Sequence, residues 1–155
     1  MNEEASISEL YQLFSQKSEY LHRFAEKLEL YSRTPRDYGS GIEITMNEVH
    51  TLSTIADHPG ITGTELAEEK VKTPSAISQT VKKLENKGLI TRAPHEEHGK
   101  KICLYVTQEG QRLSDLHKIY DVQQINRTLS IMLQTCRMED IETFFTVIEK
   151  FCEEE

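Results

Sequence analysis

Several residue types and segment types are scarce in this chain of 155 residues. It has no tryptophan, four prolines and three cysteines, and Cys103, Cys136 and Cys152 form neither a CxxC pair nor a disulfide framework, as expected in a reducing compartment. No apolar run is long enough to span a bilayer, and no N-terminal stretch has the basic and apolar regions of a secretory signal. We therefore expect a cytoplasmic protein with no membrane partner.

Catalytic and metal-binding motifs are also missing. The sequence has no Gly-rich phosphate loop and no G-x-S-x-G elbow. His95 and His98 flank two glutamates, but a zinc-protease motif needs two histidines four residues apart on one helix, and these are three apart beside Pro94. The six histidines and three cysteines show no ligand spacing. We expect no catalytic residue, no metal ligand, no cofactor and no enzyme.

Positive charge is in the minority, because the formal net charge is −8. A chain this acidic is not attracted as a whole to nucleic acid. The charge is unevenly distributed, however: residues 62–106 hold eight Lys or Arg against six Asp or Glu, and the acidic excess lies elsewhere. This distribution is compatible with a specific nucleic-acid contact and predicts weak non-specific affinity.

The segment from Thr73 to Gly88 predicts a helix with both ends marked. Thr73 is a suitable N-cap, Pro74 fits the first helical position, and Gly88 can adopt the left-handed conformation that ends a helix. Helical spacing gives one apolar stripe and an opposite face of short polar side chains followed by lysines. Such a face suits a helix that enters the DNA major groove by its N-terminal end, although a solvated amphipathic helix has the same pattern. The stripe holds Ile77, Val81 and Leu84, and the face holds Ser75, Gln79, Lys82 and Asn86.

The neighbouring segments complete a larger motif. A capping box from Thr62 to Glu65 begins a short helix that precedes the long one. Two strands follow, over residues 89–92 and 102–106, joined by a polar loop. Helix, turn, helix and hairpin predict a winged helix-turn-helix, in which Lys100 and Lys101 of the wing lie close enough to reach DNA.

The chain resembles the MarR family of bacterial transcriptional regulators. The resemblance is carried by Glu65-Leu66-Ala67, by Ser75-Ala76-Ile77-Ser78, by the run from Val81 to Arg92, and by Val106-Thr107-Gln108-Glu109-Gly110. It implies a homodimer that binds a palindromic operator in double-stranded DNA, usually as a repressor released by a small-molecule effector. The expected fold is mostly α with a small β wing, a winged helix-turn-helix domain flanked by N- and C-terminal dimerisation helices.

We expect a single MarR-type domain over residues 1–155. Its winged lobe spans 44–110, and its dimerisation helices span 6–33 and 111–152. Apolar side chains recur at heptad spacing in the first of these helices, and packing within the chain explains them as well as a partner does; the resemblance favours a dimer. The predicted dimer interface comprises Ile7, Leu10, Phe14, Leu21, Ile141, Phe144, Phe145 and Ile148.

The predicted contacts with DNA lie on the long helix and the wing. They are Thr73, Ser75, Ala76, Ser78, Gln79, Lys82, Lys83, His98, Lys100 and Lys101. The chain departs from the family pattern in two places. His98 and Lys100 stand where the wing usually has Asp and Arg, and they fit a narrow minor groove less well than Arg does. Lys70 and Val71 stand where an apolar residue and Gly are usual, so we expect a differently shaped turn.

The sequence also offers a candidate effector site and two alternative functions. Arg36 and Tyr38 precede the winged lobe and are predicted ligand-binding residues, because the family binds effectors in a nearby cleft; surface loop residues are the alternative. Two other functions remain open. One is a winged-helix module that binds a basic protein partner, which an acidic face on the long helix would favour. The other is a metal-responsive regulator.

Overall fold

The computed structural model describes residues 7–95 and 101–153, which form two compact units divided between Ser114 and Asp115. The predicted fold class is confirmed, because the described chain is mostly helical with one small antiparallel sheet. No helix in these ranges has both the length and the apolar character needed to cross a bilayer. The elements are α1 (Ile7–Arg33), α2 (Met46–Asp57), α3 (Gly63–Glu69), α4 (Pro74–Asn86), β1 (Ile90–Pro94), β2 (Ile102–Val106), α5 (Gln108–Met132) and α6 (Met138–Glu153).

Capping boxes begin α2 and α3, as the sequence predicts. The Thr45 hydroxyl accepts a hydrogen bond from the Glu48 amide at 3.3 Å, and the Glu48 carboxylate accepts one from the Thr45 amide at 3.0 Å. Thr62 and Glu65 repeat the arrangement at 3.3 and 2.8 Å. Each box satisfies two amides that the first turn of a helix leaves without helical partners.

The core of the first unit lies among α2, α3, α4 and the sheet. Each helix contributes one apolar stripe and leaves its polar face in solvent, while β1 contributes Ile90 and β2 contributes the consecutive residues Cys103 and Leu104. Fully burying a Leu or Ile side chain contributes about 1.5–3 kcal/mol relative to leaving it exposed. The fully buried members include Ile44, Val49, Leu52, Ile55, Leu66, Leu84, Leu89 and Leu113.

The hairpin pairs Ile90 with Val106 at one end and Pro94 with Ile102 at the other. Its first strand is longer than predicted and ends at Pro94 instead of Arg92. Proline is tolerated here because a two-stranded sheet has a solvent edge where no amide donor is required. The His95 amide then donates to the Lys101 carbonyl at 2.9 Å. His98 and Lys100 of the predicted wing lie outside the described residues.

In the second unit, α6 presents most of its large side chains to solvent. Phe144 and Phe145 are exposed and meet edge to face, with ring centroids 5.5 Å apart. Ile141 is different from the rest of the predicted dimer interface, since it is only 3% exposed in the single chain. Its side chain is already buried in the single chain, and its part in a dimer contact stays a prediction.

Candidate nucleic-acid interface

Both ends of α4 have the predicted local structure. The Thr73 hydroxyl accepts a hydrogen bond from the Ala76 amide at 3.3 Å, and Pro74 is the first helical residue. After the cap at Lys87, Gly88 has φ of +70°, which glycine adopts without steric penalty. The start of the helix is therefore fixed by side-chain chemistry, and its end by a glycine.

The long sides of α4 face different environments. Its buried side carries Ile77, Val81 and Leu84, as the spacing predicts, together with Thr80. Sequence reasoning missed Thr80, whose hydroxyl is satisfied by donating to the Ala76 carbonyl at 3.0 Å. The residues predicted to contact DNA on and before this helix are all exposed: Thr73, Ser75, Ala76, Ser78, Gln79, Lys82 and Lys83.

A buried carboxylate holds the C-terminal end of α4 against α2. Lys87 Nζ donates to Glu48 Oε2 and to the Glu43 carbonyl, both at 2.8 Å, and Lys83 Nζ lies 3.9 Å from Glu48 Oε1. Burial alone would raise the pKa of Glu48. The hydrogen bonds from Lys87 and Thr45 and the two lysine charges outweigh burial and hold that pKa below its ordinary value. The same carboxylate closes the first turn of α2, so it ties the two helices together.

The turn between α3 and α4 has a glycine-like backbone without a glycine. Val71 has φ of +48° and its side chain is 90% exposed. The β-branched Val71 thus adopts the left-handed conformation, and the expected difference in turn shape from the family stays a prediction. On either side of it, Lys70 is half-buried, and Lys72 Nζ donates to Asn47 Oδ1 of α2.

The described part of the wing lies beside one flank of α4. Arg92 of β1 forms an ion pair with Glu85 of α4, with Nε 3.0 Å from Oε2. A cleft of about 560 Å³ lies among α3, α4 and the hairpin, with Ser78 and Lys101 in its walls. Lys101 is exposed, as an interaction with the DNA backbone requires.

Arg36 and Tyr38 belong to the loop between α1 and α2. The Arg36 guanidinium donates to the carbonyls of Tyr31 and Thr34 at 2.8 and 3.0 Å and stacks on the Tyr31 ring, 3.7 Å from its centroid. The Arg36 backbone pairs with Ile44. Tyr38 is partly buried against the core. Both side chains thus shape the loop, and their role in effector binding stays a prediction.

One side of α1 is apolar and open to solvent. Ile7 is 88% exposed and Phe14 64% exposed, and Leu10 and Leu21 are also exposed. Contiguous apolar surface of this kind commonly marks an interaction site. The predicted dimer contact at α1 is therefore available in the single chain.

Comparison with known proteins gives three kinds of match. Residues 44–102 match the model of the MarR family. The uncharacterized HTH-type transcriptional regulator YhjH of Bacillus subtilis (strain 168) is 32% identical over 94 residues, which are 61% of this chain and 54% of that protein. The chain spans about half the length of the curated relatives it matches.

Solved structures share the fold. Streptococcus pneumoniae FabT in complex with DNA has a TM-score of 0.70 and 22% identity, over 91% of this chain and 98% of that chain. The zinc-responsive MarR family member ZitR of Lactococcus lactis has a TM-score of 0.70 and 18% identity, over 89% and 97%. At these identities the likeness shows a common architecture.

Proposed function

We propose that the chain, whose residues 44–102 match the MarR family model, is a cytoplasmic, sequence-specific DNA-binding regulator of that family, a homodimeric repressor released by a small-molecule effector. The observation that carries the proposal is the exposed polar face of α4. Short hydrogen-bonding side chains near the N-terminal end suit base edges, and lysines farther along suit phosphates.

Dimerisation follows from the geometry of the operator. Two recognition helices read a palindrome when they are held about 34 Å apart on one face of the duplex. The exposed apolar residues of α1 and α6 are suited to provide that contact between two copies. An effector that changes the spacing between the two α4 helices would lower operator affinity.

Selection of bound duplexes from a random DNA library tests readout and dimerisation together. We expect recovered sequences to contain inverted repeats with centres about 10 base pairs apart. A single unrepeated site would exclude symmetric binding by a dimer. No enrichment at all, with the protein shown to be folded, would exclude sequence-specific binding.

Two substitutions on α4 separate base readout from backbone binding. Gln79→Ala should relax base preference at one position of each half-site, whereas Lys82→Ala should weaken all sequences about equally and lower the salt dependence. If Gln79→Ala changes neither affinity nor preference, the proposed orientation of α4 is wrong. Lys150→Gln on α6 is the control for removal of one exposed lysine, and we expect it to bind like the unmodified protein.

The alternative functions have different support. The α4 face carries lysines and small polar residues, which argues against a module that docks a basic protein partner by an acidic α4 face. The zinc-responsive character of ZitR is a property of that relative. A metal-responsive regulator remains an alternative, and measuring operator affinity with and without added zinc would test it.

A further inference from the structure

A basic cleft lies on the flank of α4 that faces away from the wing. Its volume is about 740 Å³, and it is bordered by the end of α1, the start of α2, the turn between α3 and α4, and α4 itself. Four of its lining residues are basic, and none of its described lining residues is an Asp or a Glu. The basic residues are Arg33, Lys70, Lys72 and Lys83.

Two cationic groups of this basic cleft, Lys70 and Lys72, lie close enough to repel each other, whereas Arg33 and Lys83 lie beside the carboxylates of Glu29 and Glu48. Burial of Lys70 and the neighbouring charge of Lys72 lower the pKa of Lys70, while Glu69 acts in the opposite direction. Lys72 is fixed by its hydrogen bond to Asn47, whose amide in turn lies 3.5 Å from the Thr80 hydroxyl of α4. A partly buried lysine beside a second lysine that is held in place by a hydrogen bond favours the binding of an anion between them.

The start of α2 adds to the positive potential. Met46 and Asn47, the first two residues of this 12-residue helix, line the basic cleft. The first turn of a helix carries the positive end of its dipole, which favours phosphate groups. The Glu48 carboxylate offsets part of this potential, but the capping box engages the Thr45 and Glu48 amides and not those of Met46 and Asn47, so the start of α2 still presents amide donors to the basic cleft.

The position of the basic cleft points to the source of the phosphate. Along α4, Ser78 and Glu85 lie on the flank beside the wing, whereas Thr80 and Lys83 lie on the flank beside α2. The exposed polar face runs between these flanks. A helix in the major groove has one phosphate backbone on each side, so the wing flank serves one backbone and the basic cleft serves the other.

We propose that Lys70 and Lys72, with the start of α2, bind a backbone phosphate of the operator on the side of α4 opposite the wing. The proposal rests on the proposed function and adds an interaction that the α4 face does not include. Neither lysine lies on the helix that reads bases. Their contribution to affinity is therefore expected to be independent of base sequence.

Lys70→Gln tests this interaction on two duplexes, one recovered from the library selection and one with the same bases scrambled. Affinities are measured between about 50 and about 200 mM KCl. Over this range, removing one phosphate interaction makes the negative slope of log affinity against log salt shallower by about 0.9. We expect the magnitude of the slope to decrease by about two per dimer on both duplexes, and the preference for the selected bases to stay unchanged. Lys70→Arg, which keeps the charge, should restore the slope, and Lys150→Gln should leave it unchanged.

Thermal unfolding separates the proposed role from a structural one. Because Lys70 is partly desolvated beside Lys72, Lys70→Gln should keep or raise the melting temperature. A lowered melting temperature together with altered base preference would show that Lys70 only shapes the turn, and would overturn the proposal. The melting temperatures of the unmodified protein and of Lys70→Gln are also measured with and without inorganic phosphate. If phosphate raises the melting temperature of the unmodified protein only, and the salt slopes of the two proteins are equal, the basic cleft holds a free anion and the proposal is overturned.

The two proposals fail in different ways. If the unmodified protein binds the selected duplex and Lys70→Gln binds it with the same salt slope, only the phosphate interaction is wrong. If the unmodified folded protein binds no duplex at any salt concentration, the proposed function is wrong and the phosphate interaction fails with it.

Discussion

Val71 combines a β-branched side chain with a left-handed backbone. The left-handed conformation costs an ordinary residue roughly 1–2 kcal/mol, and Val71 gains little from burial because its side chain is 90% exposed. Val71→Gly should therefore raise the free energy of unfolding by about 0.5–1 kcal/mol, after the larger entropy of glycine in the unfolded chain is subtracted. Chemical denaturation measures the change. Val147→Gly, at an exposed helical position in α6, is the control and should lower stability by a similar amount.

Glu48 makes stability depend on pH. Its pKa is lower in the folded chain than in the unfolded chain, so its contribution is fully present above the unfolded value, near pH 4.3, and is lost as pH falls through the folded value. Glu48→Gln should lower the free energy of unfolding by about 1–3 kcal/mol at pH 7 and should weaken the dependence of that free energy on pH. Urea denaturation from pH 7 down to about pH 3 checks both effects.

Glu85→Gln is the matched control for this prediction. It also removes a carboxylate that pairs with a basic side chain, but both partners, Glu85 and Arg92, are about 40% exposed. Exposed ion pairs contribute little, so we expect a decrease below about 1 kcal/mol at pH 7. Equal decreases for the two variants would show that the burial of Glu48 has no special importance.

At the scale of elements, the first turn of α5 can lie directly against the Leu89 carbonyl because Gly110 lacks a side chain. A Cβ at Gly110 would lie 2.0 Å from the Leu89 carbonyl oxygen, and Thr107 also binds this corner, its hydroxyl donating to the Gly88 carbonyl at 2.8 Å. Gly110→Ala should lower stability by several kcal/mol, although Ala is the better helix former, because backbone must move to admit the methyl group. Thermal unfolding measures the decrease.

Gly63 provides a contrast within the same unit. It lies in the first turn of α3, and a Cβ added there would meet no atom within 4 Å. Gly63→Ala is therefore expected to be neutral or to stabilise the protein by up to about 1 kcal/mol. If both glycine substitutions had the same effect, close approach of the backbone would not be the reason for Gly110.

The sequence predicts helices better than it predicts what lies between them. Thr45, Thr62 and Thr73 mark helix starts because the capping interactions are local in sequence. The link from Lys87 to Glu48 joins residues 39 positions apart, and no local pattern indicates it. The basic cleft was missed for the same reason: Arg33, Lys70 and Lys83 meet only after the chain has folded.

At the scale of the whole molecule, we propose that the apolar side of α1 determines how many copies assemble. Phe14 is 64% exposed, and Phe14→Glu would place two carboxylates in the proposed symmetric contact. We expect sedimentation at micromolar concentration to shift from dimer to monomer. Operator affinity should fall roughly 100-fold or more, because each half-site is then bound independently.

Gln12→Glu is the control for this substitution. It adds the same charge to an exposed position of α1, two residues from Phe14 and away from the apolar side. We expect Gln12→Glu to remain dimeric and to bind the operator with little change. A monomeric unmodified protein would rule out this use of α1.

The Glu48 carboxylate also affects how the winged lobe opens locally. It accepts hydrogen bonds from the Thr45 amide at the start of α2 and from Lys87 at the end of α4, so fraying of either helix end removes a partner from the other. These two sites, distant in sequence, are expected to open as one cooperative unit. Backbone amides at the two places should therefore exchange with deuterated solvent at similar rates, and in Glu48→Gln those rates should diverge.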